Sequence, residues 1–174
     1  MKNLIIFFTF ITTFITAQTK LDTLVLNEVN SYRKSLGLKE VKWETNAYKA
    51  SNKHTTFLYN KNLVIWPSIF SGHTEDTLVN PKDRYEYFSK SKDWKGIGEV
   101  ALAINKNYKV DDTLLLDKIA KEIVNGWEES KEHNNIIKSP DYVFAGVSCK
   151  FFTKSPGMKG WNSYRIVSTM MFVN

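Results

Sequence analysis

The chain has 174 residues, of which 43% are hydrophobic and 24% charged, and a formal net charge of +6. That length suits a single domain, and the composition argues against wholesale disorder. The single cysteine excludes an intramolecular disulfide framework and any cysteine-based zinc finger. No internal repeat supports a solenoid.

The first seventeen residues read as a secretory signal peptide. Lys2 supplies a positive start, Leu4 to Thr16 form an apolar run, and Ala17 is a small residue before Gln18. The other reading is an uncleaved membrane anchor, but a spanning helix needs about 20 apolar residues and this run is shorter. No later segment is apolar enough to span a membrane. Residues 18–174 then form the domain, exported to the periplasm or beyond. Its basic residues are mostly Lys interleaved with Asp and Glu, which reads as a solvated surface. Export also makes nucleic acid a poor partner.

A first helix is expected from Asp22, as cap, to Ser35, with Val25, Val29, Tyr32 and Leu36 as its apolar stripe and Gly37 as its stop. Leu38, Val41 and Trp43 return to the core. Thr45 or Asn46 caps a second helix to about Tyr59, with Ala47, Ala50, His54, Phe57 and Leu58 on its inner face. On that face His54 reads as a partly buried, satisfied histidine and not as a ligand.

Residues 60–98 are irregular and aromatic-rich, from Trp66 and Phe70 to Tyr85, Tyr87, Phe88 and Trp94. A structureless loop of that length is unusual, so a short helix near Pro81–Ser89 is expected. The aromatics read as a satellite cluster, or else as a groove for lipid or sugar. Glu99–Ile104 reads as a strand. The clearest helix opens at Asp111 and Asp112 and ends near Ser130, with Leu116, Ile119, Ala120, Ile123, Val124 and Trp127 in register. Alternation from Val143 to Phe152 marks a strand, with Cys149 on its apolar side as a buried thiol. A turn from Ser155 to Gly160 leads to a returning strand, Tyr164–Val173, and so to a hairpin. This order lacks regular βαβ alternation, so the fold class is α+β, with a small antiparallel sheet packed between helices.

Five landmarks stand in order: YRKSLGLKEVKWE at 32–44, SGHTE around His73, GIGEVALAI at 96–104, WEESKEH at 127–133 and YVFAGVSCKF at 142–151. Together they resemble the CAP superfamily, also called the SCP domain, in its bacterial, cysteine-poor secreted branch. Asn30, Tyr32 and Arg33 stand where that branch has N-x-Y-R. Gly98, Glu99 and Val100 stand for its Gly-Glu-Asn, with Val100 a departure. Trp127, Ser130 and His133 stand for W-x-x-S-P-G-H, with Lys131 and Glu132 replacing Pro-Gly. Ala145 to Ser148 stand for its Ile-Gly-Val-Gly strand.

The resemblance implies an α-β-α sandwich with a three-stranded antiparallel sheet between helical layers. It also implies a central cleft of two His and two acidic residues, matched here by His73, Glu99 and His133, with Ser130 at the second acidic position. Two imidazoles and a carboxylate are a fitting donor set for Zn²⁺ with an open position. The alternative is that His73 and Glu99 bond each other and brace the loop. Ser130 and His133 could face each other on a helix, but a serine nucleophile there would lack an orienting acid and an oxyanion hole.

Three functions follow from the resemblance. The first is a non-enzymatic binding module for lipid, cell-envelope or protein ligands at the cleft. The second is a zinc-dependent hydrolase using the same residues. The third is a structural envelope protein.

Overall fold

In the computed structural model, residues 19–60, 73–75, 77–109, 114–156 and 160–174 are described, with side chains at 153–156 excepted. Helix α1 spans Lys20–Ser35. Its cap is Thr19 and not Asp22. The Thr19 hydroxyl accepts from the Asp22 N–H, while the Asp22 carboxylate accepts from the Thr19 N–H, a reciprocal capping box. Asp22 also accepts the Cys149 N–H at 2.8 Å, so the carboxylate is committed inward. Gly37 ends the helix at φ 74°, a left-handed conformation that suits glycine. Leu36, expected on the buried stripe, is 46% exposed. The buried position in that turn belongs to Arg33, which donates to the carbonyls of Lys39, Ile137, Ser139 and Tyr142.

Strand β1 is the two residues Lys42–Trp43, followed by α2, Thr45–Asn60. Thr45 is already helical, and the cap role falls to Glu44, whose carboxylate accepts the Ala47 N–H. Next come α3 (Pro81–Ser89), where the loop argument expected a helix, and β2 (Ile97–Lys109), longer than the expected strand. Helix α4 is described from Leu115 to Glu129, and its expected opening at Asp111 and Asp112 lies outside the described residues. A separate short helix, α5 (Lys131–Ile137), then precedes β3 (Phe144–Pro156) and β4 (Trp161–Val173). The signal-peptide residues, Trp66 and Phe70, and part of the hairpin turn also lie outside the described residues.

The sheet corrects the expected three-stranded antiparallel form. Among the described residues it has four strands in the order β1-β3-β4-β2 and is mixed, because β1 runs parallel to β3. Two backbone bonds seat β1, Lys42 N–H to Val143 at 2.9 Å and Glu44 N–H to Ala145 at 2.8 Å. A two-residue strand is too short to leave a period-2 signal. The other pairings are antiparallel, with Glu99 opposite Met171 and Gly146 opposite Met171 from the other side.

Both sheet faces are covered, as the sandwich requires. Helices α1 and α4 meet one face, where Val25, Val29, Ile123 and Trp127 pack on Val147, Ile166, Met170 and Phe172. Helices α2 and α3 cover the other, where Ala47 and Ala50 pack with Met171 and Val173. Tyr85, Phe88 and Trp94, each partly buried, pack against that smaller cluster. Cover on both sides explains why Ala145 to Cys149 are all buried. Gly146 lets α2 come close. A Cβ there would stand 2.0 Å from the Tyr48 backbone nitrogen. Ser51 and Thr55 then donate to the Gly146 and Ser148 carbonyls, at 2.8 and 3.1 Å.

Candidate functional site

The start of β2 carries Glu99 into the interior between α3 and the segment that holds His73. Gly98 permits that path, since a Cβ on it would lie 2.6 Å from the Tyr142 hydroxyl and 2.8 Å from Ile136. His133 enters from α5. That helix starts at Ser130, whose hydroxyl accepts the His133 N–H at 3.4 Å. Ser130 is therefore a helix cap, and its oxygen is spent on the backbone.

The three sequence-matched residues do come together. His73 Nδ1 is 3.0 Å from Glu99 Oε1. His73 Nε2 is 3.3 Å from His133 Nε2, with the rings edge to face at 75°. Glu99 thus sits behind His73, on the side of the ring away from His133. With Nδ1–H donating to the carboxylate, the Nε2 lone pair of His73 points toward His133.

Four residues that the sequence did not assign to the site complete the cluster. Arg84 of α3 places Nη2 at 2.6 Å from both Glu99 oxygens, with both side chains closed to solvent. The same guanidinium donates to the carbonyls of His73, Leu78 and Val79, tying the loop to the helix. His54 of α2 is fully buried. Its Nδ1 lies 3.4 Å from Glu75 Oε2 and its Nε2 approaches Glu99 Oε1 at 3.9 Å. Lys53 pairs with Glu75 at 3.2 Å. His54 is therefore satisfied, as expected, but more deeply buried and inside the polar network. The second carboxylate of this network comes from Glu75, two residues after His73, and not from the Ser130 position.

Two shifts follow from this packing. Burial raises the Glu75 carboxyl, but the His54 hydrogen bond and the charges of Arg84 and Lys53 outweigh it and hold it below its ordinary value. Burial, then the neighbouring His73, lowers His133, which keeps it neutral at neutral pH. Among the described residues, its buried Nδ1 has no hydrogen-bond partner.

Among the described residues, no group of three or more His, Cys, Asp or Glu is arranged to hold a metal ion. The spacing of the two imidazole nitrogens equals that of two ligands on one tetrahedral ion, and it is also that of a hydrogen bond between them. Two nitrogens bound at about 2.0–2.1 Å to a tetrahedral ion stand about 3.3 Å apart. That is the separation of the two Nε2 atoms. Metal ligation needs the neutral imidazole, which the environment of His133 favours.

A family model for the cysteine-rich secretory protein (CAP) family matches residues 26–167. The chain belongs to the CAP family. Its fold is shared with an extracellular SCP-domain protein from Bacillus anthracis, at 17% identity and a TM-score of 0.61. This chain is 88% covered and spans 40% of that protein. An outer surface protein from Borrelia burgdorferi is similar at 15% identity and TM-score 0.57, with 91% of this chain and 96% of that one covered. A search of the curated proteins found no match. Among the described residues of this CAP protein, no helix is long and apolar enough to cross a membrane.

Proposed function

We propose that this CAP domain is exported and acts as a binding module, with an ion such as Zn²⁺ held by His73 and His133 at the ligand-binding cleft. The observation that carries this reading is the 3.3 Å convergence of the two Nε2 atoms. Glu99 acts one step back. It accepts from His73 Nδ1, which fixes the tautomer and makes Nε2 a better donor. A bound Zn²⁺ would act as a Lewis acid toward an incoming oxygen or nitrogen ligand. Lipid, cell-envelope and protein ligands are the candidate occupants. Export is supported by the apolar leader and by the two structural relatives, an extracellular protein and an outer surface protein.

Binding is favoured over hydrolysis by the state of Glu99. A general base must be free to take a proton. Here both carboxylate oxygens face Arg84, and His73 occupies one of them as well.

The test is zinc titration by calorimetry beside His73→Ala and His133→Ala. Micromolar 1:1 binding lost in both variants is the expected result. Binding unchanged by both substitutions, or absent from the start, would sink the metal reading and leave a structural role for the cleft. Zinc-dependent turnover of an ester or peptide substrate, abolished in His73→Ala, would instead establish the hydrolase.

A further inference from the structure

A second site lies at the start of α1 and shares no residue with the histidine cleft. It is a half-open cavity of about 460 Å³ between α1, the end of α2, the start of α4 and β3. Tyr59 and Phe151 supply aromatic walls, Leu116 an aliphatic one, and Cys149 is also part of the lining. Among the described residues, the charged side chains lining it are two cations, Lys20 and Lys150. The Lys150 ammonium stands 5.6 Å from the centre of the Tyr59 ring, so charge and aromatic face are already side by side.

We propose that this cavity binds a small aromatic carboxylate. The two lysines call for an anionic head, and the Tyr59 and Phe151 rings offer faces or edges to a ring. The volume is at the small end for organic ligands, and the half-open shape would leave much of a long acyl chain in water. Asp22, the carboxylate at the same helix end, is not among the lining residues. It is buried, and its oxygens accept the Thr19 and Cys149 N–H groups. Cys149 adds no charge either, because burial keeps its thiol protonated.

The probes are 3-phenylpropionate, the matched alcohol 3-phenylpropanol and dodecanoate, titrated by calorimetry into the purified protein. The carboxylate should bind 1:1, about tenfold more tightly than the alcohol, since a charged hydrogen bond is at stake. Lys20→Glu and Lys150→Glu should each weaken it by a similar factor with an unchanged melting temperature. His73→Ala should leave it unaltered, which separates this site from the cleft. Occupancy should also slow methylthiolation of Cys149 by methyl methanethiosulfonate, which forms the mixed disulfide and releases methanesulfinate. Equal affinity for the alcohol, unchanged binding in both lysine variants, or no binding at millimolar probe would overturn the proposal. Tenfold tighter binding of dodecanoate would overturn it in favour of an acyl ligand.

Discussion

Arg84 Nη2 lies 2.6 Å from each oxygen of Glu99, and neither side chain reaches solvent. This pair holds the β2 start, α3 and the His73 segment in one arrangement. Removing Arg84 leaves the buried Glu99 carboxylate without its cation, with the His73 Nδ1–H still donating to it. Arg84→Met should therefore cost about 3–5 kcal/mol in denaturant unfolding. Arg84→Lys should cost less, because it keeps the charge and loses the fork. A Met variant as stable as the parent would mean that the Arg84–Glu99 pair does not hold this arrangement.

Two glycines rank differently. At Gly146 the intruding Cβ meets helix backbone, at 2.0 Å from Tyr48 N and 2.5 Å from Tyr48 Cα. Backbone cannot rotate away, so α2 must retreat from β3. Gly146→Ala should cost about 3 kcal/mol or more, the upper end for overpacking. At Gly98 the neighbours are the Tyr142 and Ile136 side chains, which can shift. Gly98→Ala should cost less in urea unfolding, yet disturb the His73–Glu99 arrangement, visible as weaker zinc binding. The reverse order of stabilities would contradict this account of α2 packing.

Helices α1, α2 and α4 and the hairpin were legible because each writes a period into the sequence, as the α4 stripe shows. Helix α3 was expected from the length of the loop around it, and the short α5 left no separate signal. Strand β1 was not, because two residues have no period. Arg33 shows a different limit. Periodicity counts apolar residues, so it chose Leu36 for the buried stripe, whereas the site needed a donor to gather four carbonyls from separate segments. His73, Glu99 and His133 were found through family motifs alone. Arg84, His54 and Glu75 had no such marker, and only the fold brings α2, α3 and β2 to one point.

That account of Arg33 is testable. Arg33→Met keeps much of the stem volume and removes every donor, leaving buried carbonyls unpaired at about 1–3 kcal/mol each. The loss should exceed that of Leu36→Ala, at an exposed position, by at least about 2 kcal/mol. Chemical denaturation of the two variants side by side decides it. Near-equal losses would mean that water replaces the guanidinium.

Asp22 gives a pH signature far from the cleft. Burial raises its pKa above the ordinary 3.8, outweighing the hydrogen bonds from Thr19 and Cys149. The folded chain then binds a proton more readily than the unfolded chain. By linkage, this group's contribution to stability is fully present below 3.8 and is lost as pH rises through the folded value. Wild type measured against Asp22→Asn should therefore gain relative stability as pH falls from 7 toward 4. Urea midpoints across that range would show it. A difference that is flat, or that shrinks on acidification, would mean the hydrogen bonds dominate over burial.

Ser130 separates structure from chemistry at the cleft. Its hydroxyl caps α5 through the His133 N–H, and α5 carries His133 into the site. Ser130→Ala should cost about 1 kcal/mol, the usual effect of losing a cap oxygen. Ser130→Asp should restore that stability, since aspartate caps as well and suits the positive end of a helix dipole. Zinc affinity should follow the same order, slightly weaker in the Ala variant and recovered in the Asp one, because the cap sets where His133 stands. A catalytic serine would behave otherwise. Any hydrolytic activity would vanish in both variants, while stability and zinc binding in the Asp variant stayed intact.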